Sequence, residues 1–433
     1  MLSSKTLVLA CLLSLQTLAQ SSRSKTCNIE PAKGKEDSSA AILTAFKSCS
    51  SNAVIVFKEG ADYNVLTPLV FPKLNNVEIR VGGNLHLPKD IPAVQKVVAA
   101  GGGKIHWFKL TGTNVDWIGS SKPENGWINS YGQQWYDANP AGKGGLPNRP
   151  KLLHFAASKS TLQHFKAKKP IGWVVSLVGD DITVSNAIID AESSSYSKFP
   201  FNTDGFAING ERITITKSKI MNGDDAVTIH DGTKNFIFKD STIGYETHGM
   251  SIGSLGKDSS KSEQVSNLLF DNITMLGGLY ASRFKSWAGG KGLVKNVTWS
   301  NIHITNVTFP AFVTQIYQDQ SVAKGPKPAS GQSVELRDFT WSNFSGTINS
   351  KNPGDGSCIS KPCWYDQDLP PLKHNEAVII QCASEKVCSN FVVKGFKLKT
   401  DAGAATSAVC ANLGKSANPK LGFKCANGPF IAE

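Results

Sequence analysis

The sequence predicts an all-β protein, a single-domain right-handed parallel β-helix with a short N-terminal capping helix. Short β-branched runs ending in turn residues recur along the middle of the chain. Their spacing is about 23 to 31 residues, and no helix-length amphipathic segment separates them. Units of this kind cannot bury an apolar face alone, so they stack into a coiled sheet. Each turn then lies about 4.8 Å above the last. A β-propeller, with blades of roughly 40–50 residues, fits the spacing poorly. A two-sheet sandwich rarely repeats in this way.

Taken in order, residues 1–20 read as a secretory signal peptide. One Lys precedes an apolar run of about a dozen residues, and small and polar residues follow. The run is too short and wrongly flanked for a membrane span. "SSAAILTAFKSC" (38–49) is the one clear helix and is placed to cap the open apolar end of the coil. "NAVIVF", "VEIRVGGNLHL" and "GKIHWFKLTG" supply the first coils. The regular units follow: "DITVSNAIID" (181–190), "RITITKSKIM" (212–221), "NFIFKDSTIG" (235–244), "SNLLFDNITM" (266–275) and "KNVTWSNIHI" (295–304). In each, apolar residues alternate until an Asn, Ser or Gly breaks the strand. "LRDFTWSNFSG" (336–346) and "NFVVKGFKLKT" (390–400) are looser copies. The β-helix domain is thus expected over 21–433, with Cys-rich C-terminal coils and tail over about 355–433.

The bulk composition agrees. The chain has 433 residues, 40% of them apolar and 18% charged, which excludes a disordered chain. Of nine cysteines, Cys11 falls in the leader. The other eight form an even set in an exported chain, which suggests disulfides. Proximity in sequence favours Cys27–Cys49, Cys358–Cys363, Cys382–Cys388 and Cys410–Cys425. Metal binding is the rival reading, but no His flanks these cysteines at zinc-site spacing. Asn-X-Ser/Thr sequons at Asn272, Asn296, Asn306 and Asn343 mark surface positions that can carry glycans. The net charge of +12 suits an acidic partner. The lysines are scattered and no nucleic-acid motif is present, so an acidic polysaccharide is favoured over nucleic acid. Simple solubilising charge explains the same number. A monomer with no cofactor, no metal and no membrane partner is expected.

Chemistry concentrates where acids cluster in this basic chain. Asp204 and Asp224 are 20 residues apart, and Asp225 and His248 are 23 apart, each close to one circuit of the solenoid. Arg283 and Lys285 follow after one circuit plus a loop, spaced i, i+2 so that both point the same way on a strand. Tyr317 comes a further 32 residues on. Adjacent Asp224 and Asp225 reach one cleft only if the chain bends, which Asn222-Gly223 allows. Close acids raise one another's pKa, so that one stays protonated. Two carboxyl groups are what glycoside hydrolysis generally needs, and the two cations suit a sugar carboxylate. Taken alone, "NTDG" and "NGDD" read more readily as ordinary turns and "RFK" as a solvated strand edge. Calcium is a weaker alternative, because the spaced loop of an EF-hand is missing. The ordered set at coil spacing favours catalysis.

These residues resemble the polygalacturonase family, glycoside hydrolase family 28, whose signatures are Asn-Thr-Asp, Gly/Gln-Asp-Asp, Gly-His-Gly and Arg-Ile-Lys in that order. This chain has "NTDG" (202–205), "NGDD" (222–225), "THGMSIGSLG" (247–256) and "RFK" (283–285), after a family-like "GWINSYGQQWYD" (126–137). The resemblance implies inverting hydrolysis of α-1,4 bonds in pectin. It implies that Asp224 is the general acid, that Asp204 and Asp225 activate water, and that His248 tunes the acid. Arg283 and Lys285 would hold the galacturonate carboxylate, Asn202 would position Asp204 or substrate, and Tyr317 would line the cleft. Inversion implies carboxyl groups about 6.5–9.5 Å apart. Thr247, Ala226 and Asn129-Ser130 depart from the family pattern without removing a proposed catalytic group. "GSLG" and "RFKSW", with Trp287, resemble the exo-acting galacturonidases more than the endo-acting members. Trp287 there either stacks on a sugar or packs between coils. Endo action, an exo-acting rhamnogalacturonan hydrolase, a lyase and a non-catalytic binder of acidic polysaccharide are the competing readings.

Overall fold

A computed structural model describes residues 22–317, 332–361, 363–366 and 372–433. The leader assigned to residues 1–20 lies outside them. Lys25–Ile29 pairs in parallel with Ser51–Phe57, which pairs with Leu74–Val81, which pairs with His106–Gly119. The same parallel register climbs the whole chain to Ser407–Ala411. The last strand pair, Ser407–Ala411 with Gly428–Pro429, is antiparallel and ends the coil.

Two local rules hold the spiral in register. The interior stacks like on like: Phe270, Trp299 and Trp341 are successive partners across three coils. Their ring centroids are 5.4 and 5.3 Å apart and their planes 9° apart, close to the rise between strands. The bends use asparagine, which enters left-handed backbone at little cost. Asn235, Asn267 and Asn296 all have positive φ. Asn296 donates its side-chain amide to Asn267 at 2.9 Å, and Asn267 donates to Asn235 at 2.8 Å. The sequons sit on this framework. Asn272 donates to Asp240 and Asn343 to Asn301, and all four sequon asparagines are exposed.

The capping helix, α1 (Ser39–Ser48), buries Ile42 and Phe46, and Phe46 stacks on Phe71 at 3.9 Å. It is not the only helix, as the sequence reading had it. Ile91–Ala100 forms α2. Asp90 caps it by accepting the Ala93 N–H at 3.0 Å, and Val94 and Val98 form its buried face. Gly132–Ala138, inside "GWINSYGQQWYD", forms α3 and buries Trp135 and Tyr136. Both are short connections between coils, where the apolar pattern covers too few turns to separate a helix from a strand. The four disulfides are the pairs that sequence proximity suggests: Cys27–Cys49, Cys358–Cys363, Cys382–Cys388 and Cys410–Cys425. Among the described residues, no helix is long and apolar enough to cross a membrane.

Candidate active site

One sheet of the coil carries the site. Phe206 pairs with Val227, Val227 with Met250 and Met250 with Ser282. Two residues before the first three of these stand Asp204, Asp225 and His248, so the three occupy equivalent places on successive coils. One residue beyond Val227, Met250 and Ser282, the partners Thr228, Ser251 and Arg283 form a second row. Lys285 lies two residues further along the Arg283 strand.

The bend at Asn222-Gly223 is built as the sequence suggests. Buried Asn222 donates to the carbonyls of Thr203 (2.9 Å) and Asp224 (2.7 Å). Gly223 approaches Pro200 so closely that a Cβ would meet its Cγ at 2.5 Å. The Asp225 N–H donates to Asp224 Oδ1 at 2.8 Å, which locks the two acids on one side.

The charges then pair. Lys285 Nζ donates to Asp225 Oδ2 at 2.7 Å, and Arg283 Nη1 is 3.8 Å from Asp225 Oδ1. Ser251 also donates to Asp225. The Thr228 hydroxyl lies 3.4 Å from Asp204 and 3.3 Å from Asp225 and bridges them. Asp204 Oδ1 is buried with no hydrogen-bond partner among the described residues. Asn202 has φ +55° and donates to Asp224 at 3.3 Å, while Arg149 donates to the Asn202 oxygen at 2.6 Å. His248 Nδ1 is 3.1 Å from Asp224 Oδ1. The Asp224 side chain is 17% exposed, against 2% for Asp225 and 4% for His248.

Electrostatics separate these acids. Burial, with Asp224 and Asp225 nearby, pushes Asp204 well above the ordinary carboxyl range. Burial also acts upward on Asp224, but His248 and Lys285 outweigh it and hold Asp224 below its usual value. Burial disfavours the charge on His248, yet Asp224 and Asp355 raise it to about 10. His248 is therefore an imidazolium at neutral pH. Of the three acids, Asp204 is the one whose surroundings favour the protonated form.

A cavity of about 400 Å³ opens over this group. Asn202, Tyr317, Arg283 and Lys285 line it with the three acids and His248. Trp287 does not. It meets the edge of Tyr317 at 5.4 Å and lies under Lys257, so it packs behind the tyrosine. The neighbouring acids also stand close together. The nearest oxygens of Asp224 and Asp225 and a ring nitrogen of His248 all fall within 4.8 Å of one another, because the two acids are neighbours on one turn. Three such groups resemble a metal site. However, both His248 nitrogens face carboxylates and Asp225 is paired with Lys285, so their donor capacity is already taken.

Several lining residues escaped the sequence reading. Trp173 and His230 form one wall, stacked at 6.3 Å, and burial with Lys285 lowers His230 to about 4. His230 is two residues past Thr228, a spacing that places both on one face of the strand. Ile359 and Trp364 form another wall, and Asp355 reaches His248 Nε2 at 2.8 Å. These three come from the segment between Glu335–Ile348 and Glu376–Gln381. Ala311 pairs with Val378, 67 residues on, whereas Ser282 pairs with Ala311 only 29 on. That overlong coil was the available signal.

A coil of parallel strands with three carboxylates, an imidazolium and two cations in one trough has the machinery of a polysaccharide-cleaving hydrolase. The chain belongs to glycosyl hydrolases family 28, whose model matches residues 57–364. It is 50% identical over 415 residues to a probable exopolygalacturonase C of Neosartorya fischeri, covering 95% of this chain and 93% of that one. It is 51% identical to a probable exopolygalacturonase C of Aspergillus fumigatus, covering 94% and 93%. The solved endo-xylogalacturonan hydrolase of Aspergillus tubingensis shares the fold with a TM-score of 0.73 at 24% identity, covering 93% of this chain and 99% of that one.

Proposed function

We propose that this protein is a secreted, monomeric, exo-acting polygalacturonase that hydrolyses the terminal α-1,4 bond of polygalacturonate with inversion and releases galacturonic acid. The observation that carries the reading is Asp224. It is the most exposed of the site's paired carboxylates, it faces the cavity, and the His248 imidazole stands 3.1 Å behind it. The exopolygalacturonase names of relatives about half identical over nearly the whole chain support the exo assignment. Ile359 and Trp364 line one side of the cavity, whose volume of about 400 Å³ is that of a small-ligand pocket.

In this mechanism a substrate carboxylate is held by Arg283 and Lys285. The proton on His248 Nδ1 passes through Asp224 to the leaving glycosidic oxygen as the C–O bond breaks. Water attacks the anomeric carbon from the opposite face and gives its proton to Asp225. Protonated Asp204 and the Thr228 hydroxyl, 3.4 Å apart, orient that water. A narrow carboxyl gap alone would suit retention. Asp225 is, however, 2% exposed and its oxygens are held by Lys285, Ser251 and Thr228, so it acts through water rather than as a nucleophile. In this reading residues 1–20 are removed on export, and the exposed sequons at Asn272, Asn296, Asn306 and Asn343 carry the glycans.

The test is a product time course from a defined galacturonate oligomer, with proton NMR of the first anomer formed. Monomer from the start, as the β-anomer, is the expected result. A ladder of oligomers rejects exo action, an α-anomer rejects inversion, and an unsaturated product identifies a lyase.

A further inference from the structure

His248 lies between two acids. Its Nδ1 faces Asp224 Oδ1 at 3.1 Å and its Nε2 faces Asp355 Oδ2 at 2.8 Å. The Asp355 carboxylate is 0% exposed and is held from behind. Its Oδ1 accepts from the Ser357 N–H at 2.9 Å and from the Ser357 hydroxyl. That hydroxyl in turn accepts from the Trp364 indole at 3.1 Å, and the Gly354 N–H donates to Thr308 Oγ1 at 3.0 Å. The imidazole ring is boxed by Phe199, Trp364 and Tyr280, with centroids 6.2, 5.5 and 6.0 Å away.

A neutral imidazole has one N–H and one lone pair. In this box it would turn a lone pair toward one of two carboxylates, Asp355 fully buried and Asp224 17% exposed. With both acids ionised, only the doubly protonated ring gives each of them a donor. We propose that Asp355 is a positioning residue that keeps His248 an imidazolium with its Nδ1 proton aimed at Asp224. It stands three residues before the Cys358–Cys363 disulfide, in the same insertion as the cavity-lining Ile359 and Trp364, so one insertion both shapes the pocket and loads the acid. The other charged or titratable groups around the ring agree in sign or are muted. Glu246 is buried and pushed up to about 7 by burial and Asp355. Tyr280 is kept neutral by burial. The Arg283 cation lies 4.3 Å over the Tyr280 ring, and the Lys285 ammonium is tied to Asp225.

The inference rests on reading Asp224 as proton donor, but its first test does not. In the substrate-free protein, ¹⁵N NMR of His248 is expected to show a doubly protonated ring through pH 8. In Asp355→Asn the titration is expected to fall by two pH units or more. Wild-type titration near 6.5, or an unmoved titration in the variant, overturns the proposal. If Asp355→Asn does not fold by circular dichroism, the wild-type titration decides. The second test is the pH profile of kcat. The variant is expected to lose the alkaline side of the profile, about tenfold at pH 9, with KM little changed, and Asp355→Glu is expected to restore it. A loss equal at every pH indicates a merely structural residue and also overturns the proposal. Activity retained in Asp224→Asn, with the NMR result as expected, rejects the role of Asp224 and leaves that of Asp355 standing.

Discussion

Lys285 and Asp225, 60 residues apart in sequence, meet at 2.7 Å with exposures of 9% and 2%. A buried ion pair gains little over a well-packed apolar pair, but breaking one side strands the other charge. We expect Lys285→Met to lower stability by about 3–5 kcal/mol, and Lys285→Met with Asp225→Asn to recover most of it without recovering activity. Chemical denaturation of the two single variants and the double variant measures the coupling. Additive losses would mean that the pair is not energetically linked.

Asp224 is read as the donor to the leaving oxygen. Asp224→Asn keeps the shape and the contacts with Asn202 but cannot relay a proton. We expect kcat to fall about 10²–10⁴-fold, with the circular dichroism of the wild type. Unchanged turnover would remove Asp224 from the mechanism.

Stability should favour acid. Asp204, Glu246 and His248 all have folded pKa values raised above their unfolded ones. The stability each contributes is complete below the unfolded value, about 4 for the acids and about 6.5 for histidine, and is lost as pH rises through the folded value. Asp224 is lowered, so its contribution is present above its unfolded value and lost as pH falls below it. The thermal midpoint should therefore peak between about pH 4 and 6 and decline from there toward pH 9. A midpoint that climbs from pH 5 to pH 8 would contradict these assignments.

Trp364 walls the cavity and its ring lies 5.3 Å from the Arg283 guanidinium. We expect Trp364→Ala to open the pocket. KM for the terminal residue should rise about tenfold or more, in line with roughly 1–2 kcal/mol of lost cation–π contact, and some oligomers should appear beside monomer. Product analysis that still shows monomer alone, with KM unaltered, would assign the wall elsewhere.

Periodicity in the sequence pointed to the parallel coil and the row of Asp204, Asp225 and His248, a single apolar pattern to the capping helix, and proximity alone to the four disulfide pairs. Each depends on spacing along the chain, and a solenoid turns spacing into position: a residue one circuit on lies one strand above. α2 and α3 were missed because they are brief departures from that period. The partners of the catalytic groups depended on the tertiary structure. Asp355 lies 107 residues from His248, in an insertion with no period, and only the fold back onto Phe199 and Tyr280 places its carboxylate against the ring. The location of the protons was likewise beyond the sequence. It depends on burial and on which charge stands within a few ångströms, and both are properties of the packed coil.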